Sequence, residues 1–98
     1  MTKAKTKTRP VLVTTSHRGV FFGYTEDTKG EIIVLQRARN CLYWPSEQKG
    51  FIGLATQGPV SSCRIGPAAE TFEVRDITGV VACSDEAVKA WERAPWSR

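Results

Sequence analysis

Long hydrophobic runs are missing from this sequence. No apolar stretch approaches the roughly 18 residues of a membrane-spanning helix, and none has the form of a signal-peptide core. Histidine is nearly missing too. The 98 residues hold one, His17, beside Arg18 in a polar segment that ends in Gly19. A histidine in such a turn is ordinarily solvated rather than catalytic. Cysteines are few and far apart. Cys41, Cys63 and Cys83 fit neither a disulfide framework nor the close pairs of a zinc site. Cys63 and Cys83 alternate with apolar residues, as small buried hydrophobes do, which suits a reducing compartment. No serine or cysteine has a recognisable base beside it in sequence. Gly50-Phe51-Ile52-Gly53 lacks the lysine and following helix of a phosphate loop, and Glu26, Asp27 and Glu31 flank a hairpin without calcium-loop spacing. These absences exclude the familiar catalytic constellations and supply no cofactor or metal site. The expectation is a soluble, intracellular, non-enzymatic protein.

Acidic residues are missing from the first nine positions, and that absence explains the net charge of +4. Lys3, Lys5, Lys7 and Arg9 carry it. Without those 4, the chain has 10 basic and 10 acidic residues, so the remainder is formally neutral. The Lys/Thr segment 1–9 has no apolar periodicity and reads as a disordered basic tail. Such a tail solubilises, and it can also touch phosphates.

What remains, residues 10–98, is one domain. A domain of this size buries about two-thirds of the surface its unfolded chain exposes, so assembly with copies is a natural source of extra burial. Val11 to Thr15 is β-branched and apolar and reads as a strand after Pro10. Val20 to Tyr24 is a second strand, with Val20, Phe22 and Tyr24 on one face. Gly23 removes a side chain from the other face, which implies a bend or a close backbone approach. Asp27 to Gly30 is a turn. Glu31 to Gln36 is a third strand, and the consecutive apolar residues Ile32 to Leu35 imply cover on both faces. Phe51 to Ala55 is short enough to be strand or helical turn, and Gly50 and Gly58-Pro59 around it favour strand. Val60 to Ile65 reads as a further strand. Phe72 and Val74 are even-numbered apolar positions, whereas Ile77, Val81 and Cys83 are odd, so a bulge or tight turn lies near Asp76 to Gly79.

One helix is expected, over 85–94. Ser84 can cap it, and Asp85 and Glu86 sit at the positive end of its dipole. Ala87, Val88, Trp91 and Ala94 form one stripe. A helix this short is unstable alone, so Trp91 must dock it on the sheet. The fold class is therefore β-rich α+β: an antiparallel β-sandwich or small barrel of about seven strands with one short C-terminal helix.

Candidate binding residues cluster in the least ordinary stretch. Arg37, Arg39 and Asn40 follow a buried strand, and Tyr43 and Trp44 come next, before Pro45. Guanidinium groups beside aromatic faces stack on bases, bind anionic ligands, or anchor protein interfaces. Tyr43 and Trp44 also suit a core whose aromatics satisfy their polar tips. Self-association, plausibly as a ring, is expected from the short chain, glycine-broken edge strands and surplus aromatics. Nucleic acid is a second candidate partner, through the tail with Arg37, Arg39 and Trp44. A small anionic ligand held between subunits is a third.

The runs Ala38-Arg39-Asn40-Cys41-Leu42-Tyr43-Trp44, Lys49-Gly50-Phe51-Ile52-Gly53-Leu54-Ala55 with Gly58-Pro59, and Ser84-Asp85-Glu86-Ala87-Val88-Lys89-Ala90-Trp91-Glu92 resemble a family of small phage and prophage proteins. The resemblance implies a viral accessory protein acting in the bacterial cytoplasm on a host protein or defence component, and it carries no catalytic residues. Gly50 to Thr56, the strand through Arg64-Ile65-Gly66 and the alternation into Val80 and Val81 resemble the middle strands of the ring-forming trp RNA-binding attenuation proteins. Of that family's closely spaced RNA-contacting basic residues, only Arg64 is present. Val11 to Leu35 is similar to the first half of an Sm-type small barrel, without its Asp-Met-Asn run.

Overall fold

The computed structural model describes residues 8–16, 19–48 and 50–94. Most of the basic tail, His17, Arg18, Lys49 and Trp96 lie outside the described residues. The chain forms β1 (Arg9–Thr15), β2 (Val20–Thr25), β3 (Ile33–Tyr43), a 3₁₀ turn (Ser46–Gln48), α1 (Gly50–Thr56), β4 (Arg64–Ile65), β5 (Ala69–Val74), β6 (Ile77–Ala82) and α2 (Asp85–Arg93). No helix among the described residues is long and apolar enough to cross a membrane.

All six strands belong to one antiparallel sheet. The long β3 organises it. β2 pairs with one side of β3, while β5 and the two-residue β4 share the other. β1 follows β2, and β6 pairs with β1 at the far edge. β5 and β6 are thus at opposite edges, yet only Arg75 and Asp76 join them. A flat sheet would hold them apart by roughly 19 Å, at about 4.8 Å per strand. Three peptide steps reach at most about 11 Å. The sheet must therefore curl, although β5 and β6 do not pair and it stays open. Asp76 turns the corner in the left-handed region (φ 58°). The tight turn expected near Asp76 is the link that enforces the curl.

The curl divides the core by strand periodicity. Val11, Val13, Ile33, Leu35, Ala38 and Val74 bury together on one face, with Phe21, Phe72 and Ile77 against them. Leu12, Val20, Phe22, Tyr24, Cys41 and Ile65 occupy the other face, where Leu54 and Ala55 of α1 and Ala87 and Trp91 of α2 cover them. Gly23 allows β2 and β3 to close up. A Cβ there would sit 2.8 Å from Cβ of Leu35.

Three local expectations change. β3 runs from Ile33 to Tyr43 and is covered over only part of its length. Ile32 and Val34 stay 45% and 40% exposed, because the helices pack farther along the strand. Residues 51–55 are helix, not strand. The flanking glycines serve that helix instead: Gly50 and Gly58 both take positive φ, and a Cβ on Gly58 would meet Ala90 Cβ at 2.4 Å. The span 60–65 contributes only Arg64 and Ile65 to the sheet, since the buried Gln48 holds it as a turn. Gln48 accepts from Val60 N (2.8 Å) and donates to the Gly58 carbonyl (2.8 Å). The strand-rich antiparallel class and the C-terminal helix stand, with six strands and a second helix among the described residues.

α2 docks as its stripe requires. Ser84 Oγ accepts from Ala87 N (3.1 Å) and donates to the Thr56 carbonyl (2.7 Å), so the cap also ties α2 to α1. Trp91 is fully buried, stacks on Phe22 with centroids 5.1 Å apart, and donates from Nε1 to the Leu54 carbonyl (3.0 Å).

Candidate binding surface and the Arg39 pocket

A bulge in β3 decides where the candidate residues point. Phe22 pairs with Arg39 and Tyr24 with Gln36, so β3 carries one extra residue there. Arg37 absorbs it at φ 51°, in the left-handed region that costs a non-glycine residue about 1 kcal/mol or more. The phase of the strand reverses across this point. Leu35 and Ala38 face the enclosed core, whereas Arg39 and Cys41 turn to the helices.

Arg39 is consequently buried beneath α2. Its Nε and Nη2 donate to the Gly66 carbonyl at 3.0 and 2.9 Å, and Nη1 donates to the carbonyls of Trp91 (2.9 Å) and Ala94 (2.6 Å). The guanidinium thus closes the C-terminal end of α2, where the helix dipole is negative, and fastens the loop before β5 to it. No carboxylate contacts it among the described residues, and burial pulls its pKa below the ordinary arginine value. Charge-assisted bonds of this kind stabilise by roughly 1.5–3 kcal/mol each, against a burial cost of several kcal/mol for the charge.

Arg37 takes the opposite position. It is exposed, and its guanidinium carbon lies 4.1 Å from the centroid of the Tyr24 ring. Tyr24 donates a short hydrogen bond to Glu92 Oε2. Burial, and then that carboxylate, push its phenol up to about 12. Phe22, Tyr24, Arg37, Arg39, Ala68 and Glu92 line one pocket of about 300 Å³. A second, of about 210 Å³, lies on the other side of Arg39 and reaches Asn40, Pro67 and Phe72. Asn40 pairs opposite Phe21, and its carbonyl accepts from Gly66 N (2.9 Å).

Tyr43 and Trp44 part company. Trp44 is half-buried against the helix-side core, while Tyr43 is 51% exposed beside Leu42 at 56%. Phe51 and Ile52 on α1 are 40% and 51% exposed. The structure thus brings Arg37 and Arg39 to one pocket and places Tyr43 elsewhere. Tyr24 and Glu92 were not visible as site residues in the sequence, because a tyrosine in a strand and a glutamate on a helix look like ordinary packing and solvation.

Two of the thiols are held protonated. Burial raises Cys41 and Cys83 to about 12. Among the described residues no group of three or more His, Cys, Asp or Glu side chains is placed to hold a metal ion.

A family model described as a domain of unknown function, DUF6948, matches residues 8–91. No curated protein and no solved structure matches the chain.

Proposed function

The chain belongs to the DUF6948 family of domains of unknown function, and from that premise we propose a non-enzymatic binding protein that assembles with copies of itself. The observation that carries this reading is the four large apolar side chains left exposed between residues 42 and 52. Leu42 and Tyr43 at the end of β3, and Phe51 and Ile52 on α1, all present large apolar area to solvent. Exposed apolar side chains that form a contiguous patch mark contact surfaces. Tyrosine and phenylalanine are also enriched in the buried centres of protein interfaces. A second copy supplies the same residues in return, as a two-fold contact requires. Among the described residues no further strand covers β6 at one edge or β4 and β5 at the other, which offers a further route by strand addition.

The resemblance to small phage proteins supports an accessory role in the bacterial cytoplasm, with a host or defence protein as the eventual target. Nucleic-acid binding through Arg37, Arg39 and Trp44 is less well supported. The Arg39 guanidinium is turned inward onto carbonyl groups, and Trp44 packs against the core.

Light scattering across micromolar concentrations tests self-assembly. Wild-type protein is expected well above the 10.9 kDa of one chain, and Leu42→Glu with Ile52→Glu is expected to return it to that mass. A wild-type mass of one chain throughout overturns the proposal.

A further inference from the structure

The pocket under the β3 bulge carries an inference independent of self-assembly. Three features converge on it. The first is a buried cation: among the described residues the Arg39 guanidinium meets carbonyl oxygens and no counter-charge. Those bonds leave one N–H on Nη2 without an acceptor among the described residues. Arg39 is about nine-tenths buried and lines the pocket. The second is a strained residue at the rim. Arg37 adopts positive φ although nothing about its side chain favours that backbone, and its guanidinium carbon sits 4.1 Å from the centroid of the Tyr24 ring. Strain that persists at a pocket rim is a pointer to function. The third is charge balance. Among the described residues the pocket is lined by two guanidinium groups and one carboxylate, that of Glu92, which already accepts from Tyr24. The pocket keeps an excess of positive charge between apolar walls formed by Phe22, the Tyr24 ring and Ala68.

We propose that this pocket binds a small organic oxyanion, a carboxylate or a phosphate monoester on a compact apolar body, with Arg37 and the remaining Nη2 N–H of Arg39 as its donors. A planar guanidinium matches either group by paired hydrogen bonds. The pocket volume of about 300 Å³ suits a ligand built around a single ring. Arg39 gives the site rigidity, since α2 and the loop before β5 both hold it. Arg37 gives it access.

Calorimetric titration of the full chain with phenyl phosphate, benzoate and neutral benzamide tests the assignment. At least one of the two anions is expected to bind saturably, with benzamide showing no binding, and the stronger anion identifies the headgroup. Arg37→Gln is expected to weaken that anion about tenfold or more. Glu92→Gln, which removes the opposing charge, is expected to tighten it. A role confined to holding the fold together would not produce that opposite pair of shifts. Failure of both anions to bind, equal binding of benzamide, or unchanged affinity in Arg37→Gln overturns the assignment.

Discussion

Replacing Arg39 by methionine separates its role in the fold from that of its neighbour Arg37. Methionine fills much of the same volume but donates nothing. It leaves the carbonyls of Gly66, Trp91 and Ala94 without the four bonds they now receive. Counted singly at roughly 1.5–3 kcal/mol, these would total far more than the change is worth. Two terms reduce the sum. The mutant no longer buries a charge, which returns several kcal/mol. The Ala94 carbonyl is only part-buried, so its penalty is smaller. The Gly66 and Trp91 carbonyls are enclosed, so each retains a desolvation penalty of roughly 1–3 kcal/mol. The net expectation is a loss of about 3 kcal/mol.

That is a large share of the roughly 5–10 kcal/mol that holds a domain of this size. Guanidinium chloride unfolding followed by tryptophan fluorescence should show it as a midpoint lower by about 1 M, with the slope unchanged. Arg37→Met is the control. It removes an exposed cation–π contact of about 0.5–1 kcal/mol and keeps the same backbone. A loss below about 1 kcal/mol in Arg39→Met, or an equal loss in both variants, would refute the claim that Arg39 ties α2 to the sheet.

Trp91→Ala should cost about 3–5 kcal/mol, because it removes the stack on Phe22 and the bond to the Leu54 carbonyl; thermal unfolding within a few degrees of wild type would mean that α2 is not held this way. Alkaline pH should weaken the fold. Tyr24, ordinarily 10.0, stands at about 12, and Cys41 and Cys83, ordinarily 9.0, also stand at about 12. The folded state holds these protons more tightly than the unfolded state, so their contribution is complete below pH 9 and is lost between about pH 9 and 12. Tyr24→Phe should flatten the part of that decline between about pH 10 and 12, and an unchanged slope would remove Tyr24 as a cause.

Much of the fold was legible because local chemistry and global position agree along most of the chain. Val20, Phe22 and Tyr24 alternate in sequence and share the helix-side face. Ser84 reads as a cap and caps. The reversal of phase between Val74 and Ile77 marks the Arg75–Asp76 corner that curls the sheet. The failures fall where a short apolar run has two readings. Phe51 to Ala55 is bounded by glycines, and glycine ends helices as readily as it ends strands. The deciding contact is distant: α1 packs on α2, and Gly58 just beyond α1 sits against Ala87 and Ala90. Ile32 to Leu35 invited a two-sided burial because composition cannot tell how far a helix extends across a strand. Val34 lies beyond its reach.

The site was less legible for a reason of a different kind. By residue type Arg39 reads as a candidate to bind an anionic ligand, a base or a protein partner. Its own partners are carbonyls at positions 66, 91 and 94, which are 27, 52 and 55 residues away. Every residue has a carbonyl, so no sequence pattern announces that three of them will converge. What could have drawn attention is the spacing Leu35-Gln36-Arg37-Ala38-Arg39. Alternation continued straight from Leu35 would place Arg37 and Arg39 together on the enclosed face lined by Val11, Val13, Ile33 and Val74, where burying two guanidinium groups is costly. A strand in that position has one inexpensive remedy, an inserted residue that reverses the phase. The bulge at Arg37 is that remedy. It leaves Ala38 to fill the enclosed core and sends Arg39 to the open carbonyls of α2. Arg37 is left at the rim of the pocket that both arginines line. The same backbone defect thus accounts for the packing of the strand, the anchoring of the helix and the positive charge of the pocket.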